Sequence, residues 1–402
     1  MSVANGRALL ATPGPTNIPD RVLQAMMRPA EELHTQTIID LTTTLLADLQ
    51  RLFRTSGHTY LYACNGHGAW EAALTNVLSR GDKVLVLASG RFAVGWGEMA
   101  SFMGVDVEVL AGSWNAAVDP SAVEARLRAD HAHSIKAVLM VQIDTASGVA
   151  NDVHAVRKAI DAAGHPALYM IDGVASLACM PFEMDEWGVD VAMSASQKGL
   201  MTSPGLGFVA ANEKAHAAHE RADLKTRYWD WTSRRSPLHY MKHCGTPPEH
   251  LMFGLRASLD MIFEEGLEAV WKRHSLLAGA THAAVSRWAE GQSLALNVDE
   301  PAQRAPSVTP VLTKGVEPAR IANFTRTMCG VTLGGGLGDL SGKAFRIAHM
   351  GHVNAPMVIG SLAAVEMALQ SLQIPHGSGG TAAAIAYLSS GVERCEAIAS
   401  QQ

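Results

Sequence analysis

Two polar residues at the ends of apolar runs could supply an amine and an acid to one ligand. Lys198 lies shortly after the run 189–193, and Asp172 directly follows the run 167–171. A lysine amine can hold an aldehyde as a Schiff base, and a carboxylate can keep a pyridine nitrogen protonated. Together they indicate pyridoxal phosphate (PLP) as the cofactor, with Lys198 and Asp172 as the predicted catalytic residues.

Each of these residues also has an ordinary structural explanation. An isolated strand-end aspartate usually caps the following turn, and most lysines are solvated surface charges. The neighbours of Lys198 favour burial, because Ser194, Ser196 and Gln197 are small or uncharged and the flanking sequence is apolar. Burial and a neighbouring cation would lower the pKa of the amine, as a catalytic lysine requires.

A phosphate site is predicted at the start of a helix. Gly66, His67 and Gly68 precede a helical pattern, where backbone N–H groups can approach phosphate oxygens. The two glycines could instead only shape a turn. The runs 334–338 and 342–343 lack the spacing of a dinucleotide loop or a P-loop, so neither predicts a nucleotide site.

Two further side chains complete the predicted site. Trp96 could stack on the cofactor ring, although core packing would also explain it. Arg346 lies within the apolar run 344–348, where an arginine is costly unless it binds an anion. Its planar guanidinium matches a substrate carboxylate. Arg256 and Lys343 are weaker candidates, the first as a structural ion pair and the second as a solvated turn residue.

The composition is that of a folded protein whose ligand is small. The net charge is −6 over 402 residues without a basic run, which argues against nucleic acid. No stretch resembles a signal peptide or a membrane span. Five separated cysteines without a C-x-x-C pair favour a reducing cytoplasm over a disulfide framework. The histidine pairs 239/243 and 349/352 lack companion ligands, so no metal is predicted.

The apolar runs alternate with helical patterns, which predicts an α/β fold. Predicted strands cover residues 83–88, 105–110, 137–142, 167–171, 189–193 and 206–210, and helices between them include 119–129 and 153–163. Most runs are short and β-branched, as is typical of parallel strands buried on both faces. Ligands bind at the carboxyl ends of such strands, where Asp172 and Lys198 lie.

A second, smaller domain is predicted after a long helical pattern from Leu251 to about Trp288. Beyond it, residues 307–312, 319–328, 344–348 and 356–372 predict strand, helix, strand and helix. We expect an N-terminal arm at 1–20, a large PLP-binding domain with a mainly parallel sheet at 21–275, and a small C-terminal α+β domain at 276–402.

With these motifs the chain resembles the class V aminotransferases, PLP-dependent transferases of fold type I, and most closely their serine–glyoxylate and alanine–glyoxylate branch. The resemblance covers essentially the whole chain. Its motifs are residues 13–19 (PGPTNIP), 171–174 (IDGV), 185–190 (DEWGVD), 196–201 (SQKGLM), 345–349 (FRIAH) and 377–379 (GSG).

The resemblance implies a role for each candidate residue. Lys198 would carry the cofactor and move the proton between Cα and C4′, Asp172 would bind the pyridine nitrogen, and Trp96 would stack on the ring. Phosphate binding would fall to Gly66, His67 and Gln197, the ring hydroxyl region to Thr145, and the substrate carboxylate to Arg346. His243 would be a further cofactor-binding residue. Thr246 would contact the phosphate of the neighbouring subunit, which implies a homodimer with shared active sites, or a tetramer of such pairs.

Two departures from the family pattern bear on the substrate. Gln142-Ile143-Asp144 replaces the usual His-Asn-Glu before Thr145, and His243-Cys244-Gly245 replaces the usual aromatic residues before Thr246. Because Gly245 removes bulk and His243 or Tyr240 could restore a contact, the pocket could admit a larger or more acidic donor than serine. Arg227, Arg234, Arg235 and Lys242 could bind a second carboxylate, or could be solvated surface charges.

The predicted function is therefore a ping-pong transamination from a small L-amino acid to glyoxylate or another small 2-oxo acid. Serine is the first choice of donor, followed by alanine or aspartate. Alternatives within the family are the pairs aspartate–glyoxylate and pyridoxamine–pyruvate. More distant alternatives are a PLP lyase of the cysteine desulfurase type, which needs a catalytic thiol such as Cys329, and a PLP-binding paralogue without turnover.

Overall fold

The computed structural model describes residues 2–399, which form two main β-sheets surrounded by helices. The strands are β1 (Leu9–Ala11), β2 (His58–Cys64), β3 (Lys83–Ala88), β4 (Asp106–Ala111), β5 (Ile135–Val141), β6 (Ile143–Asp144), β7 (Val149–Ala150), β8 (Leu168–Asp172), β9 (Val191–Ala195), β10 (Gly205–Ala211), β11 (Leu294–Leu296), β12 (Val308–Thr313), β13 (Val331–Gly335) and β14 (Ala344–Ala348). The α-helices are α1 (Asp20–Met26), α2 (Gln36–Phe53), α3 (Gly66–Val77), α4 (Arg91–Phe102), α5 (Pro120–Arg128), α6 (Val153–Ala162), α7 (Glu213–Arg221), α8 (Trp231–Arg234), α9 (Glu249–Glu265), α10 (Leu267–Ala289), α11 (Pro318–Cys329), α12 (Ala355–Ser371) and α13 (Gly380–Ala399).

The larger sheet has seven strands in the order β2-β10-β9-β8-β5-β3-β4. The pairs from β9 to β4 are parallel, whereas β10 runs antiparallel to both β9 and β2. The expected α/β fold with a mainly parallel sheet is thus confirmed. The expectation of two buried faces does not extend to β4, because β4 is the edge strand and half of its residues are exposed.

The smaller sheet has five strands in the order β1-β13-β14-β12-β11. Its first strand comes from the predicted N-terminal arm, since β1 pairs in parallel with β13. The glycine-rich run 334–338 begins inside β13 instead of forming a loop, and Gly334 pairs with Arg346 of β14. The arm and the C-terminal segment therefore build one sheet together.

The long helical pattern before the small domain consists of two helices. They meet at Gly266, which adopts a φ of +87° that a residue with a side chain rarely tolerates. Near the start of α10, Leu267 and Val270 pack into the large hydrophobic core, whereas Leu277 and later residues pack into the core of the small sheet. The proposed domain division after residue 275 falls between these two groups.

None of the described helices is long and apolar enough to cross a bilayer. Nor do the described residues contain a cluster of three or more histidine, cysteine or acidic side chains that could hold a metal ion. His239 and His243, one of the two pairs with metal-like spacing, are both hydrogen-bonded to the Thr42 hydroxyl instead.

Candidate active site

The carboxyl ends of β5, β8 and β9 and the start of α3 surround a cavity of about 240 Å³. Six of the predicted site residues line it: Gly66, His67, Thr145, Asp172, Gln197 and Lys198. The lining also includes residues that the sequence did not single out: Asn65, Trp70, Phe92, Val141, Ile143, Val174 and Ala175. The lining therefore combines polar and apolar side chains.

Asp172 ends β8 and is only 3% exposed. The Val174 backbone N–H donates to its Oδ1 at 2.7 Å, and the Trp70 indole Nε1–H donates to its Oδ2 at 2.7 Å. Burial raises the pKa of Asp172 to about 6, although both hydrogen bonds lower it. The carboxylate is therefore mostly ionised at neutral pH, and each oxygen is held by a fixed donor.

Lys198 follows β9 and lies under the N-terminal arm. Burial and, to a smaller extent, the nearby charge of Arg346 lower the pKa of its amine to about 8. The amine donates to the Pro13 carbonyl, and a Cβ on Gly14 would lie 2.7 Å from Lys198 Cε. The Thr16 hydroxyl also donates to the Lys198 carbonyl at 3.1 Å. A glycine at position 14 is therefore required for this close approach.

The first turn of α3 borders the cavity, where the positive end of the helix dipole favours an anion. Asn65 caps the helix, because its side-chain oxygen accepts from the backbone N–H groups of His67 at 3.1 Å and Gly68 at 3.2 Å. Gly66 and His67 line the cavity, but Gly68 faces the other way. A Cβ at Gly68 would lie 2.5 Å from Cys64 Cβ, so packing against β2 explains this glycine and the predicted cofactor contact is wrong.

Trp96 is the clearest error among the predicted site residues. It is fully buried in the core, where its ring stacks on Trp70 with centroids 6.1 Å apart. Trp70 lies between Trp96 and the cavity, so Trp96 cannot contact a ring bound there. Phe92 lies one helical turn earlier in α4 and does line the cavity. The sequence could have indicated Phe92 as a candidate, because residues four positions apart lie on the same face of a helix and Phe92 therefore shares a face with Trp96.

Asp144 holds together two elements of the cavity wall. It is fully buried and accepts from the backbone N–H groups of Phe92 at 2.8 Å, Ala93 at 3.1 Å and Ala146 at 2.9 Å. These bonds join the start of α4 to the turn that contains Thr145. Asp144, which replaces the longer glutamate of the family pattern, thus fixes the placement of Phe92 and Thr145.

Arg346 lies on β14 of the smaller sheet and is 8% exposed. It is outside the cavity lining but is bonded to that lining through Thr145. Its Nε–H donates to the Gly335 carbonyl at 2.6 Å, and its Nη1 donates to the Thr145 carbonyl at 2.9 Å. Burial lowers the pKa of Arg346 to about 10 while Asp144 raises it, so the side chain stays cationic at neutral pH. The guanidinium therefore places a fixed positive charge beside Lys198.

Two residues predicted near a shared site lie elsewhere in this chain. His243 is 6% exposed and is hydrogen-bonded to Thr42 at 3.1 Å, which corrects its predicted cofactor contact. Burial lowers the pKa of His243 to about 3, so the ring is neutral. Thr246 is exposed and lies outside the cavity lining. Of the candidate cations for a second carboxylate, Arg234 is buried and donates to three backbone carbonyls, those of Leu61, Tyr228 and Lys242.

These residues fit a phosphorylated pyridine aldehyde. The cavity combines a fixed acid (Asp172), an amine of lowered pKa (Lys198) and a helix N-terminus whose dipole favours an anion (α3). In addition, the buried Gln197 Oε1 has no hydrogen-bond partner among the residues that the structure describes, as expected for a group that faces a ligand. The donor set is therefore complementary to PLP.

Comparison with known proteins decides the family. The family model described as aminotransferase class-V matches residues 8–338. This chain belongs to the class V aminotransferases. It is 43% identical to the serine–glyoxylate aminotransferase of Methylorubrum extorquens, over 95% of this chain and 96% of that protein. It is 37% identical to the L-aspartate–glyoxylate aminotransferase of Paracoccus denitrificans, over 92% and 94% of the two chains.

The solved structures agree with this assignment. The fold superimposes on pyridoxamine–pyruvate aminotransferase from Mesorhizobium loti with a TM-score of 0.88 and 27% identity, covering 97% of this chain and 100% of that one. The protein is therefore a PLP-dependent aminotransferase of fold type I. Cys329, the thiol considered for a desulfurase, ends α11 and packs against the small-sheet core instead of lining the cavity.

Proposed function

We propose that this aminotransferase transfers the amino group of L-serine to glyoxylate. Its similarity to serine–glyoxylate aminotransferase supports both substrates. The observation that carries the choice of an uncharged donor is the position of Arg234, whose guanidinium is engaged by three backbone carbonyls. Arg346 donates to only two carbonyls, and we assign it to the single α-carboxylate that serine and glyoxylate share.

We assign the chemical steps to this chain's own residues. Bound PLP supplies an aldehyde that holds the amino group and a ring that accepts the electron pair released when Cα loses its proton. Lys198 Nζ would take that proton from Cα and deliver it to C4′, which its lowered pKa permits. Asp172 would keep the ring nitrogen protonated, and the start of α3 and Gln197 would bind the phosphate. Thr145 would contact the ring hydroxyl, and Arg346 would orient the carboxylate.

Phe92 takes the role predicted for Trp96 in this proposal. Its side chain lines the cavity, and Asp144 fixes the backbone that carries it. An apolar ring there would cover one face of the cofactor and exclude water from the reacting carbon.

An isotope-transfer assay tests the substrates directly. The enzyme is mixed with [15N]serine and glyoxylate, and [15N]glycine and hydroxypyruvate are measured by mass spectrometry; alanine and aspartate replace serine in parallel assays. We expect kcat/KM to be highest for serine, with aspartate at least about tenfold lower because Arg234, the buried candidate for its second carboxylate, is engaged by backbone carbonyls. A higher kcat/KM for aspartate than for serine would contradict the proposed donor and would favour the aspartate–glyoxylate alternative.

We also propose a homodimer with shared active sites in the cytoplasm. An interface is supported by exposed apolar side chains in two places. Leu238 (56% exposed) and Tyr240 (41%) lie on the segment that precedes Thr246, and Leu23 (42%) and Met27 (82%) lie on α1 and directly after it. Four free cysteines fit a reducing compartment, and the Cys395 side chain lies outside the described residues.

Analytical ultracentrifugation should give twice the chain mass, and a monomer would contradict the dimer. Thr246→Ala should weaken PLP binding if the partner's phosphate contacts it.

A further inference from the structure

Trp70 is a buried aromatic residue that connects the two ends of the cofactor cavity. It lies on α3 one turn after His67 at the phosphate end, and its ring centroid is 4.5 Å from that of His67. At the other end its Nε1–H donates to Asp172 Oδ2 at 2.7 Å. Phe92 and Trp96 pack on it with centroids 6.4 Å and 6.1 Å away. The indole therefore has little freedom to leave the carboxylate.

We propose that Trp70 is a positioning residue that orients Asp172 toward the cofactor's ring nitrogen and keeps this carboxylate a proton acceptor. The inference rests on the assignment of Asp172 to that nitrogen under the proposed function. It concerns the indole N–H specifically, not the bulk of the side chain.

The geometry explains why a donor is needed at this oxygen. Val174 N–H fixes Oδ1 alone, which would leave the carboxyl group free to rotate about its bond to Cβ. The Trp70 N–H fixes the second oxygen, so the plane of the carboxylate is set. Each carboxylate oxygen has a second lone pair, and a ring N–H can still bind there.

The charges and hydrogen bonds around Asp172 also support a positioning role for Trp70. Burial and the neighbouring carboxylate of Asp144 favour the neutral form of Asp172, whereas Val174 N–H, Trp70 N–H and the Lys198 amine favour the charged form. Removal of the indole N–H would shift this balance toward a protonated Asp172. A neutral carboxyl group would then hold the ring proton less firmly.

Trp96 provides a matched control. It is equally aromatic and fully buried, and it stacks on Trp70. Its Nε1, however, has no hydrogen-bond partner within residues 2–399. Replacing either tryptophan by phenylalanine disturbs the same aromatic stack, but only the change at position 70 removes a donor from Asp172.

The test compares binding of PLP with binding of its 1-deaza analogue, in which a C–H group replaces the ring nitrogen. The full-length parent, Trp70→Phe and Trp96→Phe are each freed of cofactor, and the two dissociation constants are measured by absorbance titration. The ratio of these constants reports the interaction with the ring nitrogen without any catalysis. We expect Trp70→Phe to reduce the preference for PLP about tenfold, and Trp96→Phe to keep the parent ratio.

A second measurement covers the case in which Trp70→Phe folds poorly. Trp70 is replaced by 3-benzothienylalanine, which keeps the shape of indole but has sulfur in place of N–H. Bound [15N]PLP is then observed by NMR, because the ring nitrogen shift distinguishes its protonated from its neutral form. We expect the nitrogen to lose its proton at a lower pH than in the parent.

The outcomes distinguish the role of Trp70 from the assignment of Asp172 to the ring nitrogen. A parent ratio near one would show that Asp172 does not hold the ring nitrogen, and both ideas would fail. A large parent ratio that Trp70→Phe leaves unchanged, or that both variants reduce equally, would overturn the role of Trp70 alone. An unchanged nitrogen titration in the benzothienyl variant would do the same.

Discussion

The two sides of the active-site cavity are built in different ways. On one side, Asp172 and Lys198 follow neighbouring parallel strands of the seven-stranded sheet, and local chain geometry brings them together. On the other side, Arg346 comes from the smaller sheet and is held by the carbonyls of Gly335 and Thr145. The cofactor end therefore depends on one sheet, whereas the substrate end depends on how two sheets meet.

This difference separates chemistry from recognition. Changes on the large-sheet side should affect the rate of the chemical step, because in the proposed mechanism the acid acts on the cofactor and the amine acts on Cα. Changes at Arg346 should affect substrate binding first. The mutations below test whether the two sides can be separated in this way.

The largest effect is expected at Lys198. Lys198→Ala removes the proton carrier, so we expect kcat with serine and glyoxylate to fall about 10⁴-fold or more. Lys343→Ala, at an exposed turn, should match the parent. After borohydride reduction, tryptic mapping should place the cofactor on residue 198 of the parent. A variant that keeps a tenth of the parent rate would remove Lys198 from the mechanism.

Asp172→Asn should lower kcat by about 10³-fold. An amide has one oxygen and one NH₂ group, so it cannot accept from both donors. Its NH₂ group would face either Val174 N–H or Trp70 Nε1–H. The matched control is Asp190→Asn at the opposite end of β8, where the carboxylate accepts from Tyr169 N–H at 2.8 Å. We expect that control to lose thermal stability but not kcat. Equal losses of kcat in both variants would indicate a general structural effect.

The amine of Lys198 should titrate near pH 8 in the cofactor-free protein, because burial and Arg346 lower its pKa from the ordinary 10.5. Its neutral, reactive fraction at pH 7 is then roughly 300-fold larger than for an unperturbed amine. Labelling with a low concentration of acetic anhydride, followed by mass spectrometry, measures this. The rate at residue 198 should rise through pH 8 and then level off. A rate still rising at pH 10 would contradict the lowered pKa.

Arg346→Lys should raise KM for serine and glyoxylate about 10- to 100-fold, with a smaller change in kcat. A lysine cannot keep the bonds to Gly335 and Thr145 and also bind a carboxylate at two points. Arg256→Lys is the control, since Arg256 pairs with Asp48 at 2.6 Å far from this chemistry. If kcat fell and KM stayed constant, the two sides of the cavity would not be separable.

The smallest effect is expected on stability. A Cβ at Gly90 would lie 2.2 Å from Asp144 Cγ, so Gly90→Ala should lower the free energy of unfolding by about 1–3 kcal/mol. Gly360→Ala lies on the exposed face of α12 with open space around it, and should raise that free energy by about 0.5–1 kcal/mol. Urea denaturation measures both. Equal stability of the two variants would argue against tight packing between Gly90, at the start of α4, and Asp144.

The sequence predicted the strands of the large sheet well where apolar runs were continuous, but missed β2. The residues of β2, HTYLYAC, include Thr and Tyr, which favour strands, but they do not form a continuous apolar run. The break at Gly266 was also missed, because both helices carry the same apolar pattern across it.

In the site, strand-end residues were the most predictable. Asp172, Gln197 and Lys198 line the cavity because each lies at or just beyond the carboxyl end of a strand of one sheet. Trp96, Gly68 and His243 were misplaced, since the direction of a side chain on a helix or turn depends on its packing partners, here Trp70, Cys64 and Thr42. Trp70 escaped notice because only the folded chain brings its indole to Asp172.

The most direct test of the account is the visible spectrum of the holoenzyme during addition of serine and then glyoxylate. If Lys198, Asp172 and Arg346 act as proposed, serine should bleach the cofactor absorption and glyoxylate should restore it. A spectrum that serine leaves unchanged, while aspartate or another donor bleaches it, would contradict the proposed substrate. A spectrum that no amino acid changes would contradict transamination at this site.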